Sequence, residues 1–185
     1  FGQTRHTGAI HRALRLPDVV VDSPTDTVHV LLGDTLHHLP IGSIVADLGC
    51  GVGAALAYMQ QRFPDWRLAW GITLSGDQAQ RAGTAKFPVV QGTFHHLPVV
   101  SDGVDAAWAV ESLIHSDQPE LFFGEIGRSL RTGGILIICD DMAYNDTNTP
   151  MQQLFRYGWL APNLVSPDVH THYARAAGFT LRTVR

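Results

Sequence analysis

The sequence is poor in the features that would mark it as a secreted, membrane or nucleic-acid protein. It has two cysteines, Cys50 and Cys139, both in stretches that read as core strands or their turns, so a disulfide scaffold is not indicated and a reducing cytoplasm is expected. Its longest apolar runs, such as residues 135–139, are strand-sized, far short of the roughly 20 residues a spanning helix needs, so no membrane span is expected. Basic residues number 13 against 17 acidic ones, giving a net charge of −4 and no positive field for nucleic acid. No repeat, low-complexity segment or signal peptide is visible, and no feature sets an oligomeric state. The paired histidines His37-His38, His95-His96 and His170/His172 lack metal-ligand spacing, so no metal site is assigned.

What is present is a chain of 185 residues, 45% hydrophobic, sized for one domain with a sizeable core. It begins at Phe1 and ends at Arg185 within an apolar stretch, which reads as a fragment of a longer protein. The organising stretch is Ile44-Val45-Ala46-Asp47-Leu48-Gly49-Cys50-Gly51-Val52-Gly53, an apolar run ending in an acid and then glycine at every second position. It predicts a buried strand turning sharply into a helix, with glycines for positive φ, for a ligand against the backbone and for helix packing. Residues 54–62 continue as helix, whose free N–H groups would face the space above the strand.

Along the chain, residues 1–27 form a leading segment, with a short helix possible over 10–16; it either lies on the surface or acts as a lid carrying His6, Thr7 and His11. A helix is predicted over 28–39, capped by Asp26 or Thr27. Strands follow at 44–48, 66–72, 87–90, 104–110 and 135–139, with helices at 54–62, 78–85 (capped by Ser75 or Asp77) and 120–131 (capped by Ser116 or Asp117). Gly133-Gly134 is read as the turn into the fifth strand. Residues 28–142 thus make the cofactor-binding core; 143–185 add an acceptor-side segment with helices near 151–159 and 168–177 and a sixth strand over 179–184. This alternation predicts an α/β doubly wound, mostly parallel sheet, a Rossmann-like three-layer sandwich, with ligands at the carboxyl ends of the strands.

The glycine turn by itself also fits a loose dinucleotide fingerprint. Two features weigh against NAD: Asp47 lies just before the turn, where it would repel a pyrophosphate, and the second strand ends Gly71-Ile72-Thr73 without an acid for a ribose hydroxyl. At this point a resemblance is specific. Val45-Ala46-Asp47-Leu48-Gly49-Cys50-Gly51-Val52-Gly53 resembles the first motif of class I S-adenosylmethionine-dependent methyltransferases. Trp70-Gly71-Ile72-Thr73-Leu74-Ser75-Gly76-Asp77-Gln78, and Trp108-Ala109-Val110-Glu111-Ser112 with His115, resemble a small-molecule branch that includes sterol, prenyl diphosphate and cyclopropane-fatty-acid C-methyltransferases and several amine and phenol methyltransferases. The likeness covers residues 28–140, and in that family a last antiparallel strand follows the sixth, which this sequence stops short of.

The resemblance implies S-adenosylmethionine as cofactor and S-adenosylhomocysteine as product. Gly49, Gly51 and Gly53 would approach the methionine and ribose portions, and Asp47 would organise the turn or receive the ammonium. Thr73, Leu74 and Gln78 would stand in for the usual ribose acid, while Thr93 occupies the place of an acid for the adenine amine, leaving Phe94 to supply that contact. A sulfonium methyl is already activated, so the domain must chiefly align a nucleophile and exclude water. If the acceptor is a carbon of an isoprenoid or lipid-like natural product, as in secondary metabolism, a carbocation forms and a base must remove a proton. Glu111 is the candidate base, with His115 beside it; the bland reading makes Glu111 a loop anchor and His115 a capping residue. Trp108, Tyr144, Phe155, Tyr157 and Trp159 are candidate acceptor-wall residues. A small amine or phenol is the alternative acceptor, and a nicotinamide oxidoreductase or a non-catalytic cofactor-binding protein the alternative functions. Mg2+ is expected only with a diphosphate acceptor, with Asp140-Asp141 as its ligands.

Overall fold

The computed structural model describes residue 21, residues 26–85 and residues 87–182. The expected lid residues His6, Thr7 and His11, and the helix over 10–16, lie outside these described residues. The elements run α1 (Asp26–Leu36), β1 (Ile44–Leu48), α2 (Ala54–Arg62), β2 (Leu68–Thr73), α3 (Gly76–Thr84), β3 (Val89–Gln91), β4 (Val104–Val110), a 3-10 turn (Leu113–His115), α4 (Pro119–Ser129), β5 (Leu130–Cys139), α5 (Pro150–Trp159) and α6 (Pro167–Ala176). The strands form one parallel sheet in the order β3-β2-β1-β4-β5.

Alternation along the central strands explains the layers. Val45 on β1 and Ala106 and Trp108 on β4 face α1 and α2, where Val28, Leu32, Leu36, Leu56 and Met59 pack. Ala46 and Leu48, with Ala107 and Ala109, face the opposite side, against Phe122, Phe123 and Ile126 of α4. Period-two side chains on β1 and β4 thus bury both sheet faces, as a parallel sheet requires. The chain winds outward from β1 in one direction to β3, then crosses back to β4, so the strand order reverses between β1 and β4. Ligands of such sheets lie above that reversal, at the carboxyl ends of the strands.

Three expectations change. Gly133-Gly134 do not turn the chain into a short strand: β5 begins at Leu130, and between the pairs Val104↔Leu130 and Ala106↔Ile135 one residue of β4 faces four of β5. The glycines make a bulge, Gly133 at φ +79 and Gly134 too close to the Arg131 and Asp105 carbonyls to carry a Cβ. Helix α4 is capped by neither Ser116 nor Asp117; Gln118 is its N-cap, Pro119 opens it, and Ser116 Oγ instead accepts the Gln118 N–H at 3.2 Å. No sixth strand forms over the described residues 179–182, where Phe179 packs its ring on Phe123, centroids 6.5 Å apart; the remainder of that expected strand lies outside the described residues. No helix among the described residues is long and apolar enough to cross a membrane.

Candidate functional site

A cleft of about 1050 Å3 opens above the reversal, lined by the carboxyl ends of β1, β2, β4 and β5 and by the end of α5. That volume is at the upper end for ligand pockets and leaves room for a donor and an acceptor together. Its floor is the glycine turn. Gly49, Gly51 and Gly53 hold φ of +89, +56 and +87, which only glycine adopts without strain. The Gly49 and Cys50 N–H groups both donate to the Ile72 carbonyl, at 2.9 and 3.0 Å, tying the turn to β2. A Cβ on Gly49 would sit 2.4 Å from the Ser112 Cβ, and the Ser112 hydroxyl donates to the Leu48 carbonyl at 2.6 Å. The loops after β1 and β4 are thereby clamped together at the cleft floor. Gly53 does not line the cleft; it is the N-cap of α2, without a side-chain cap, and a Cβ there would meet the Phe87 ring at 2.9 Å.

The remaining expected cofactor residues gather on the side of β1, β2 and β3, and all of them line the cleft. Asp47 is 3% exposed, and burial pushes its carboxyl up to about 7, held back in part by the indole N–H of Trp108 on the neighbouring strand. That N–H completes no full hydrogen bond, so Asp47 is left poorly compensated by its own chain. The Thr73 hydroxyl donates to Gln78 Oε1 at 2.7 Å, which orients the Gln78 amide, and Ser75 caps α3 by accepting the Gln78 N–H at 3.3 Å. Leu74 contributes an exposed side chain beside them. Thr93 Oγ1 accepts the His95 N–H at 3.2 Å, and the Phe94 ring stands edge-on to Phe122 at 5.1 Å, one face of its surroundings core and the other cleft.

Glu111 and His115 line the opposite side, above β4 and β5. Glu111 has φ +44, a left-handed conformation costing a long side chain about 1–3 kcal/mol and concentrated at functional sites. Its N–H donates to the Cys139 carbonyl at 2.8 Å, which fixes it beside the end of β5. His115 ends the 3-10 turn, with Nδ1 bonded to the Leu160 carbonyl at 2.9 Å, so the ring is held to the end of α5. Further residues line the cleft beside these. Asp140 Oδ2 accepts the Ile114 N–H at 2.9 Å, and burial, with the charge of Glu111 added, pushes its carboxyl up to about 7. His29 of α1, Ser112 and Arg81 of α3 also line the cleft. The acid directly after an apolar strand is the sequence signal for Asp140, offered there as a Mg2+ ligand, and Ser112 stands in the segment after β4; His29 and Arg81 had no such signal. Of the expected wall residues, Phe155 and Trp159 line the cleft with ring centroids 6.0 Å apart, whereas Tyr144 and Tyr157 are exposed outside it and Trp108 is buried in the core. Among the described residues no group of three or more His, Cys, Asp or Glu stands together as a metal site.

The S-adenosylmethionine cradle implied by the sequence can be tested on this geometry. The backbone at Gly49 approaches Ser112 too closely for any side chain, the α2 N-terminus lacks a side-chain cap, and the buried, poorly compensated Asp47 lies beneath the turn. The buried Asp47 suits positive charge near the turn and the uncapped α2 N-terminus suits a hydrogen-bond acceptor group beside it; the amino-acid end of that cofactor carries both an ammonium and a carboxylate, and the residues fit it.

Comparison with known proteins agrees. A family model for a methyltransferase domain matches residues 46–138. The chain is 28% identical over 176 residues to a dimethylglycine N-methyltransferase of Parasynechococcus marenigrum, covering 89% of this chain and 61% of that protein. It is 32% identical over 102 residues to a sterol 24-C-methyltransferase of Gibberella zeae, covering 51% of this chain and 26% of that one. The fold superposes on geranyl diphosphate C-methyltransferase from Streptomyces coelicolor with a TM-score of 0.73 at 20% identity, over 83% of this chain and 59% of that structure. The chain therefore spans less than two thirds of the length of these relatives. With the glycine turn, the parallel sheet and a family match across half its length, the chain belongs to the methyltransferase domain family, in the class I group that uses S-adenosylmethionine.

Proposed function

We propose that this domain transfers a methyl group from S-adenosylmethionine to a small-molecule acceptor bound over β4 and β5. The observation that carries the reading is the buried Asp47 carboxyl beneath a glycine turn that only bare backbone can form. A dinucleotide pyrophosphate at that turn would meet the acid, and β2 ends in Thr73 rather than an acid for its ribose. The donor lies over β1 and β2, with Gly49 and Gly51 along its methionine and ribose portions, Gln78 at the ribose and Phe94 at the adenine. The chain's part in the chemistry is to fix the sulfonium methyl in line with the acceptor and to keep water out. Calorimetry tests this: S-adenosylhomocysteine binds and NADH does not; the reverse result sinks the methyltransferase reading.

For the acceptor, a carbon of an isoprenoid or lipid-like product is the first reading and a small amine or phenol the alternative; the first is supported by the strained Glu111 in the cleft that Phe155 and Trp159 also line. There Glu111 would take the proton and the rings would face the carbocation. A diphosphate on such an acceptor would bring Mg2+ with it, and Asp140 and Asp141 are the carboxylates it would meet.

A further inference from the structure

Helix α5 carries Phe155 and Trp159 to the cleft, yet no residue of α5 is fully buried. Its place is therefore set by the segment that follows it, residues 160–166, where Ala161 and Leu164 pack with Ile114 and Ala143 in a small buried cluster that Phe155 adjoins. Leu160 ends the helix at φ +50, a left-handed conformation that is strained outside glycine and persists only where neighbours enforce it. Contacts with the 3-10 turn enforce it. His115 Nδ1 bonds the Leu160 carbonyl at 2.9 Å, and Asn163 grips the same turn twice: its backbone N–H donates to the Ile114 carbonyl and its side-chain Nδ2 to the Leu113 carbonyl, both at 3.1 Å.

Asn163 is buried, and its Nδ2 also lies 3.2 Å from Nε2 of His170 on α6, which is buried as well. The Leu113 carbonyl fixes which end of the amide is nitrogen, and an amide nitrogen only donates, so His170 Nε2 must accept and the ring proton must sit on Nδ1. Nδ1 is buried without a hydrogen-bond partner among the described residues. A protonated ring would carry N–H on both nitrogens, one of them against the Asn163 N–H. Turning the amide to meet it would set Oδ1 against the Leu113 carbonyl. Burial holds His170 below its ordinary range; against that, the Asp146 carboxylate, which accepts the Ser166 N–H and hydroxyl and feels the Arg156 charge, favours the charged ring. From α4 the ring meets Phe123, at 6.4 Å between centroids, while Glu120 of that helix is engaged by the Tyr173 hydroxyl.

We infer that Asn163 and His170 form a proton-sensitive clasp that positions the α5 wall of the cleft. With His170 neutral, Asn163 ties the end of α5 to the 3-10 turn that carries His115, and the Ile114 N–H of that turn stays on Asp140 at 2.9 Å. When His170 takes a proton, Asn163 loses either its His170 or its Leu113 partner, Leu160 leaves its strained conformation and the wall loosens. Burial places that event below the ordinary 6.5 of a histidine, so the clasp is closed at neutral pH and opens on acidification. Asn163 is a positioning residue: it does not line the cleft and acts through the turn and the wall, which do. The clasp is independent of what the cleft binds; that its wall is the one beside the methyl acceptor rests on the methyltransferase reading above.

The test reads amide hydrogen exchange by NMR on the whole chain at about pH 7.5 and about pH 5, corrected for the intrinsic exchange rate at each pH. Protection of the Asn163 and Ala161 amides, which donate to the Ile114 and Arg156 carbonyls, is expected to fall about tenfold or more at the lower pH relative to Ala46 and Ala107 in the sheet. His170→Gln, whose Oε1 can accept from Asn163 and takes no proton, is expected to keep the same relative protection at both pH values. Asn163→Leu is expected to show low relative protection at both. A parent whose relative protection does not change, a His170→Gln variant that falls as the parent does, or full protection in Asn163→Leu overturns the clasp. Long-range 1H–15N NMR of the parent at about pH 7.5 needs no variant: a His170 proton on Nδ1 is expected, and one on Nε2 overturns the clasp. Binding of S-adenosylhomocysteine is measured separately by calorimetry; its absence would sink the methyltransferase reading and leave the clasp standing.

Discussion

The two sides of the cleft, one proposed for the donor and the other for the acceptor, are built from different materials. The proposed donor side is backbone: Gly49 and Gly51 at positive φ with Gly53 behind them, two N–H groups on one carbonyl, a loop clamped against Ser112, with the Thr73–Gln78 pair beside it. The acceptor side is side chain, drawn from segments far apart in sequence: Glu111 after β4, Asp140 after β5, Phe155 and Trp159 from α5, with His115 tied to Leu160 across the gap. Backbone geometry tolerates almost no change, while side chains can be exchanged without moving the sheet. One fold can therefore keep one donor and vary its acceptor.

Mutations should separate the two sides. The largest effect is expected at Gly49. Gly49→Ala places a Cβ 2.4 Å from the Ser112 Cβ at φ +89, so denaturant unfolding should show a loss of about 3 kcal/mol and calorimetry no detectable S-adenosylhomocysteine binding. Wild-type affinity in this variant would mean that the floor of the cleft is not the donor site.

Next is Glu111→Gly. Relief of the left-handed strain offsets the added chain entropy of glycine, so stability should stay within about 1 kcal/mol of the parent while methyl transfer falls by about a hundredfold. A variant that is both stable and fully active would reduce Glu111 to a loop anchor.

Asp47→Asn should weaken S-adenosylhomocysteine about tenfold through loss of a charge-assisted contact. It should also flatten the pH dependence of stability. Between the ordinary 3.8 and about 7 the folded Asp47 and Asp140 carboxyls keep protons that the unfolded chain releases, so the unliganded protein loses stability as pH rises through that window. The buried His170, held neutral, acts in the opposite sense below its ordinary 6.5, and comparison of variant with parent cancels it. Melting at about pH 5 and about pH 8 should show a smaller drop in Asp47→Asn than in the parent; equal drops would remove Asp47 as the titrating group.

The smallest effect is expected from Thr73→Val, which frees the Gln78 amide from its 2.7 Å partner. It should cost about threefold to tenfold in S-adenosylhomocysteine affinity measured by calorimetry. Unchanged affinity would mean that the Thr73–Gln78 pair does not reach the cofactor.

Much of this division was legible in the sequence. The glycine spacing marked the turn at the cleft floor, because a backbone that must take positive φ leaves glycine as its signature, and Asp47, Thr73 and Leu74 line the same cleft. Strand β4 was read at its observed ends, since an apolar run between Gly103 and Glu111 has only one place to start and stop. The β5 bulge and the cap of α4 were misread. Gly133-Gly134 serves a turn and a bulge equally well, and Ser116 prefers the Gln118 N–H to the helix end it precedes.

By itself the sequence determined the parallel alternation of strands and helices and the glycine turn, because both follow from local residue patterns that repeat at two or about 3.6 positions or demand glycine. Only the tertiary structure decided which side chains meet above β4 and β5. It placed the Asp140 carboxyl against the Ile114 N–H and beside Glu111, and it alone brought Phe155 and Trp159 of α5 to the same cleft. Desolvation is the reason: a carboxyl's charge state depends on what is packed around it, and that is decided by neighbours distant in the chain.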